Sequence, residues 1–259
     1  MESDKIQLFP ELKQPPIVEV VCGVVFEGVP DLDTLMLGVY WDRRRTEYPK
    51  RQIHTALTDG PGFAIGVMPM RAFLLSADDQ FILQLQHDRF FMNWRATGPD
   101  YPRFSEKHGA DGLLSRMETE FEKFKDFVRE KCGRELVAIR VELSKIDLLE
   151  RGRHWADFAD LARLLPVTGV FQEVQRTDER DVNLRFADQG PDGTVVVQIA
   201  TLVDANKAHA LRVDARFVTD AKPSVRDAFH RGNRVLNEVF FKLIPDAERR
   251  FGTKGAENA

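Results

Sequence analysis

The stretch Pro15–Phe26, PPIVEVVCGVVF, decides the fold of this 259-residue chain. From Ile17 to Phe26 it is a nearly continuous run of β-branched and apolar residues, interrupted only by Glu19 and Gly23. Two prolines in front of the run prevent a helix from continuing into it. The pattern therefore predicts a well-buried β-strand.

A helix and short strands follow this strand. Asp31 or Asp33 can cap a helix that carries apolar residues at helical spacing and ends before Tyr48-Pro49. Clusters of turn residues then recur up to Asp78-Asp79, and the segments between them are predicted to be short strands.

The segment from Phe81 to Arg95 has the pattern of a β-hairpin. If His87-Asp88 forms a two-residue loop, the large apolar side chains share one face of the hairpin. The opposite face then carries Ile82, Gln84, Gln86, Arg89, Phe91, Asn93 and Arg95. Because His-Asp is not a favoured pair for such a loop, a longer loop with a shifted register stays open.

A long helix is predicted from Leu113 to Gly133, and the same order of elements then starts again. Leu136–Leu149 reads as a strand and Trp155–Leu165 as a short helix. A last helix begins at a capping box formed by Ser224 with Asp227. Between these helices lie candidate strands at Val170–Arg176, Val182–Ala187, Thr194–Val203 and Ala210–Val218.

The predicted fold class is α+β. Two tandem β-α-ββββ-α pseudo-repeats, residues 1–133 and 134–247, would form one curved antiparallel sheet, with residues 248–259 as a flexible tail. The helices would cover one face and leave the other face in water.

Composition narrows the classes of function. Lys and Arg number 37 against 41 Asp and Glu, a net charge of −4, which argues against a surface devoted wholly to nucleic acid but leaves a local basic patch open. No membrane-spanning run or signal peptide is apparent, so a cytoplasmic protein without a membrane partner is predicted. The two cysteines, Cys22 and Cys132, are expected to be free thiols.

The order of elements resembles the saddle fold of the TATA-binding protein and its relatives. That resemblance is topological and carries no function. The chain also departs from the saddle proteins that grip DNA, because those proteins are basic.

Several short segments carry a second resemblance: Pro16–Val20, Leu83–Gln86 with Arg89-Phe90, Asn93–Arg95 and Tyr101–Phe104. Together they are similar to the signature of a sporadically distributed bacterial family of roughly 250-residue proteins without an established activity. Scattered occurrence implies genes that move horizontally, which is compatible with phage defence or toxin immunity. The resemblance assigns no chemistry to any residue.

Catalytic signatures are absent from the sequence. It contains no nucleophile elbow, no phosphate-binding glycine loop and no His-Glu-x-x-His motif, and its six histidines lack metal-ligand spacing. Cys22 lies among valines, which favours core packing over a nucleophile. We therefore predict no catalytic residue, no metal and no cofactor, although a site assembled from distant segments stays open.

One constellation of side chains suggests recognition, on the face predicted to be wet. Amide and guanidinium groups have the fork geometry that reads base edges, carboxylates and phosphates. The candidate ligand-binding residues are Gln84, Gln86, Arg89, Asn93, Arg95, Arg185, Gln198, Arg212, Asp214 and Arg216. An ordinary solvated face would also be polar, and Asp214 between two arginines fits a cross-strand ion ladder.

These observations favour a non-enzymatic binding or regulatory protein with a protein partner. The alternative is a nucleic-acid-binding protein that uses the polar face. A third reading is an enzyme with a dispersed site, which a deep pocket holding a carboxylate or a histidine of strongly perturbed pKa would support and a flat surface would exclude. Association into a homo-oligomer stays open.

Overall fold

A computed structural model describes residues 9–57, 70–98, 101–102, 104, 112–171, 182–203 and 209–254. The strands are β1 (Ile17–Phe26), β2 (Lys50–Thr55), β3 (Met70–Leu75), β4 (Phe81–Gln86), β5 (Arg89–Arg95), β6 (Ala138–Glu150), β7 (Asn183–Gly190), β8 (Gly193–Val203) and β9 (His209–Asp220). The helices are α1 (Thr34–Arg43), α2 (Leu113–Cys132), α3 (Phe158–Leu164), α4 (Val225–Leu243) and α5 (Ala247–Phe251), with a 3-10 turn at Pro166–Phe171.

The strands form one antiparallel sheet in the order β2-β3-β4-β5-β1-β6-β9-β8-β7. The predicted α+β class is confirmed, and the predicted strand Ile17–Phe26 forms with the predicted bounds. β1 lies near the middle of the sheet, paired with β5 on one side and β6 on the other. Its run of β-branched residues suits this place, because strands with both faces covered are apolar at successive positions.

Helices α2 and α4 pack on the same face of the sheet, which we call the helix face. Phe90 of β5 contacts Phe121 and Phe124 of α2, with ring centroids 5.4 Å apart in both pairs. A Cβ atom at Gly232 of α4 would lie only 2.8 Å from the ring of Phe217 in β9, so glycine permits the close approach of this helix to the sheet. In the part of the chain that is described, no helix is long and apolar enough to cross a membrane.

Local signals placed the hairpin and the helix ends correctly. His87 and Asp88 form the two-residue loop, and Phe81 pairs with Trp94 in the predicted register. Three predicted helix ends also occur as expected, whereas the short helix predicted from Trp155 begins at Phe158. Asp33 caps α1, Ser224 caps α4 and Gly133, with a φ of 63°, ends α2.

The predicted strand Val170–Arg176 does not agree with the structure in its described part. Residues 170 and 171 belong to the 3-10 turn that starts at Pro166, and residues 172–176 lie outside the described residues. The tandem repeat of four strands per half is therefore not confirmed. The predicted turns at 177–181 and 204–207 also lie outside the described part.

The predicted flexible tail begins with ordered structure. Helix α5 ends at Phe251, and Thr253 forms a β-bridge with Leu12. The backbone N–H of Lys254 donates to the carbonyl oxygen of Glu11 at 2.8 Å. Residues 251–254 are thereby joined to the segment that precedes β1.

Candidate functional site

The structure places every residue of the predicted recognition site on the face opposite the helices, which we call the open face. Directly paired residues of antiparallel strands point to the same side of a sheet. The pairing runs from Asn93 through Val21 and Ser144 to Arg216, and Gln198 pairs with Asp214 beside it. The two halves of the predicted site therefore share one continuous surface.

The prediction that this whole face is wet is wrong for its N-terminal half. Four of the predicted site residues there are at most 8% exposed: Gln84, Gln86, Arg89 and Asn93. Gln86 accepts a hydrogen bond from the N–H of Leu57 and donates to the carbonyl oxygen of the same residue. Leu57, two residues after β2, thus lies against Gln86 on this half. The guanidinium of Arg89 is held by Asp88 at 3.0 Å.

A chain of hydrogen bonds connects the polar side chains of the buried half. Arg71 donates to Gln84 at 2.9 Å, Gln84 to Asn93 at 2.7 Å, and Asn93 to Glu19 at 2.5 Å. Arg95, which is exposed, also donates to Glu19. Because each amide has a partner inside the protein, these groups stabilise the packing of the sheet and are not presented to a ligand.

The C-terminal half of the open face remains accessible. Arg185, Gln198 and Arg216 are exposed, and Arg212 and Asp214 are half-buried. The acidic side chains nearby hold the arginines. Arg212 bonds Asp214 along β9 at 3.1 Å, and Arg216 bonds Glu142 of the neighbouring β6 at 2.6 Å, so the ion pair that crosses between strands uses Glu142 and not Asp214.

A second site lies on the helix face, where the sequence analysis named no candidate. A cavity of about 220 Å³ separates β6 and β9 from α4, and the segment before β1 closes one side. Aromatic and aliphatic side chains form most of its wall. We call it the central cavity, and its wall includes Ile17, Tyr101, Lys145, Asp147, Val213, Ala215, Asn233, Asn237, Phe240 and Phe241.

Successive side chains of β6 point to opposite faces of the sheet, and two ionisable residues of this strand therefore point into the cavity. Val141, Leu143 and Leu149 point to the helix face and are fully buried. Lys145 and Asp147 occupy the intervening positions of the same row, and they are 9% and 5% exposed. The sequence contains this signal, because ionisable residues on the apolar side of a strand are unusual.

Burial changes the protonation of both groups. Removal from water lowers the pKa of Lys145 to about 8, a change that the nearby Asp147 opposes. Burial raises the pKa of Asp147 to about 7, and here the charge of Lys145 opposes the change. A carboxyl group and an amine that both change protonation close to neutral pH thus face one cavity.

Helix α4 supplies two carboxamides to the opposite wall. Lys145 donates from Nζ to Oδ1 of Asn237 at 2.5 Å. Asn233 lies one turn earlier, and its Oδ1 is buried with no hydrogen-bond partner among the described residues. A buried acceptor without a partner costs about 1–3 kcal/mol, so a ligand that donates to it gains a favourable interaction.

The segment from residue 9 to residue 15, which we call the strap, lies along the edge of the cavity. Phe9 stacks on Phe241 of α4 with ring centroids 5.5 Å apart. Lys13 and Gln14 donate from their backbone N–H groups to the carbonyl oxygens of Gly252 and Phe251. These contacts join the strap to α4 and to the residues that follow α5.

Comparison with known proteins gives no assignment for either surface. No protein-family model matches the chain, and no curated protein matches its sequence. The resemblance to a sporadic bacterial family therefore stays a prediction.

Proposed function

We propose that this protein binds a small amphipathic molecule in the central cavity and acts as a binding or regulatory protein. The observation that supports this most directly is the pair Lys145 and Asp147, each more than nine-tenths buried in a cavity whose wall is mostly apolar. Burying ionisable groups is costly, and apolar residues of similar volume are often more stable in their place. Perturbed ionisable groups inside a cavity are typical of functional sites.

The wall of the cavity defines the chemistry of the ligand. Phe240, Val213 and Ile17 offer an apolar surface for a hydrocarbon or aromatic body. Lys145 and Asp147 offer a donor and an acceptor for its polar end, and the Asn233 carboxamide adds an acceptor. A volume of about 220 Å³ lies just below the ~300–1,000 Å³ of sites for drug-sized ligands, so the ligand is the size of a small metabolite.

Four probes that share a phenylpropyl body test this proposal: 3-phenylpropanol, 3-phenylpropanoic acid, 3-phenylpropylamine and 3-phenylpropanamide. We expect saturable binding of at least one of them by calorimetry or ligand-observed NMR. The variant Ala215→Phe fills the cavity and should abolish the binding, whereas Ala187→Phe on exposed β7 should not. Asn233→Leu keeps the volume and removes only a polar group, so it covers the case in which Ala215→Phe does not fold.

Failure of all four probes to bind would contradict the proposal. Binding that Ala215→Phe and Asn233→Leu both leave unchanged would place the probes elsewhere on the protein and would also contradict it.

The exposed half of the open face supports a second candidate function, recognition of a protein partner. This function is favoured because Arg185, Gln198 and Arg216 lie side by side on one accessible surface. Nucleic acid is less favoured there, because Glu142 and Asp214 already hold two of the arginines. A mobility-shift assay with DNA and RNA at ~50 mM salt distinguishes a protein partner from nucleic acid. A shift that weakens steeply with added salt would indicate phosphate binding, and no shift would exclude nucleic acid.

The order of the strands supports the proposal of an internal duplication. The first strands of the two halves, β1 and β6, pair at the centre of the sheet. The last strand of each meander lies beside the first strand of its own half, β5 beside β1 and β9 beside β6. The tandem repeat and the role in defence or immunity both remain predictions.

A further inference from the structure

We infer that the ligand of the central cavity is an aldehyde or a ketone, which Nζ of Lys145 captures as a reversible imine. This inference rests on the proposed function, because it assigns a reactive group to the molecule that the cavity binds. It makes Lys145 a nucleophile where the sequence indicated no catalytic residue.

The surroundings of Lys145 suit an amine that reacts. Its hydrogen-bond acceptor is the neutral carboxamide of Asn237, and among the described residues no carboxylate forms an ion pair with it. A carboxylate partner would hold the amine in its charged form, whereas an amide oxygen positions the amine without stabilising the charge. With a pKa near 8, compared with ~10.4 for an ordinary lysine, a substantial fraction of Lys145 is neutral and nucleophilic.

Asp147 is placed to move the proton that imine formation requires. It lies two residues further along β6 on the same face, and it makes no hydrogen bond within the described part of the chain. Because burial raises its pKa to about 7, it carries a proton in a large fraction of molecules at neutral pH. A group with a pKa close to the working pH is an effective general acid and base.

The reaction balances with these two residues and the ligand alone. Neutral Nζ forms a bond to the carbonyl carbon, and one proton passes from nitrogen to oxygen, which gives a carbinolamine. Asp147 then protonates the hydroxyl group, the C–O bond breaks, and water leaves with that oxygen. The product is a protonated imine on Lys145 with Asp147 as its carboxylate counter-ion, and addition of water reverses each step.

The unpartnered oxygen of Asn233 fits the intermediate. The carbinolamine carries an O–H donor that the free aldehyde lacks, and Oδ1 of Asn233 is a buried acceptor on the facing helix. An interaction that is present in the intermediate and absent with the free carbonyl compound favours the chemical step.

Reductive trapping with 3-phenylpropanal and sodium cyanoborohydride tests the inference. We expect intact-mass spectrometry to give one adduct per chain, and peptide mapping to place it at Lys145, before the exposed lysines react. Lys145→Met should lose the adduct, and Lys242→Arg at an exposed position should keep it. Asp147→Asn should slow trapping about tenfold or more, because it removes the proton donor.

Binding of 3-phenylpropanol separates failure of this inference from failure of the proposed function. If the alcohol binds the cavity and the aldehyde leaves Lys145 unmodified, the imine is wrong and the binding function stands. If neither compound binds, both proposals fail. Adducts spread over exposed lysines at the same rate as at Lys145 would also overturn the imine.

Discussion

Nζ of Lys145 in β6 donates to Oδ1 of Asn237 in α4 across 2.5 Å, so the centre of the sheet is tied to the last long helix by an amine and a neutral amide. The choice of acceptor matters, because the same position could hold a carboxylate with almost no change in shape. An amide positions the amine, whereas a carboxylate would also fix its charge.

Asn237→Asp should therefore suppress the reactivity of Lys145. A carboxylate in contact with the amine raises the pKa of Lys145 from about 8 toward its ordinary value, since an opposite charge favours the charged form. We expect reductive trapping by 3-phenylpropanal to slow about tenfold or more at neutral pH, which is the effect of one pKa unit or more on the neutral fraction. Asn237→Leu is the control and should retain fast trapping; equal rates for Asn237→Asp and the wild type would contradict the prediction.

Replacement of both buried ionisable groups should stabilise the protein and abolish binding. The double variant Lys145→Met/Asp147→Leu removes two desolvated charges and fills similar volume with apolar atoms. We expect the free energy of unfolding in urea to rise by about 1–4 kcal/mol while phenylpropyl probes no longer bind. A less stable double variant would indicate that the pair serves the fold.

Stability should depend on pH through Asp147. Its pKa of about 7 in the folded protein lies above the ordinary 3.8, so the folded chain binds more protons than the unfolded chain between these values. The stabilisation from its protonated form is complete below about pH 4 and is lost as the pH rises through about 7.

The measurement compares urea unfolding of the wild type with that of Asp147→Asn over this range. The wild type should lose stability relative to the variant as the pH rises, at up to about 1.4 kcal/mol per pH unit. Lys145 acts in the opposite direction above about pH 8, because its pKa is lowered, so the comparison stops below that value. Parallel curves for the two proteins would show that Asp147 titrates normally.

Two ion pairs that join the C-terminal end of α1 to α2 should differ strongly in their contribution to stability. The side chains of Arg44 and Glu120 are 8% and 7% exposed, whereas those of Arg43 and Glu130 are 40% and 53% exposed. Glu120→Leu removes the buried carboxylate from a guanidinium that keeps only Glu47, which is half exposed, and the Tyr40 hydroxyl, and it should destabilise the protein by about 3 kcal/mol.

Glu130→Gln is the matched control for that variant. Water solvates the exposed pair, so its loss should change the urea midpoint little. Equal effects of the two substitutions would contradict the contrast that burial predicts.

The buried half of the open face should respond to one added methyl group. A Cβ atom at Gly23 in β1 would lie 2.4 Å from the ring of Phe91, which is itself buried. Gly23→Ala should cost about 1–3 kcal/mol of unfolding free energy, because the ring has to move within a packed layer. Gly38→Ala in α1 meets open space and should stabilise by about 0.5–1 kcal/mol, and a tolerated Gly23→Ala would indicate a loosely covered face.

Short-range features of the sequence determined much of this fold. The apolar run Ile17–Phe26 formed the predicted strand, and the caps at Asp33 and Ser224 occur where the side chains can bond the first turn of a helix. The hairpin register followed from the alternation between Phe81 and Arg95. These features depend on neighbouring residues, so a single sequence contains the information that specifies them.

Burial of the polar residues depended on distant segments. Alternation placed Gln84 and Asn93 on the face opposite the helices, whereas their burial and their hydrogen bonds with Arg71 and Glu19 came from the tertiary structure. The same alternation along β6 predicts that Lys145 and Asp147 point to the same face of the sheet as Leu143. Only the packing of α4 and the strap makes a cavity around them, because the period of a strand assigns a side chain to a face, and the other elements of the fold determine what covers that face.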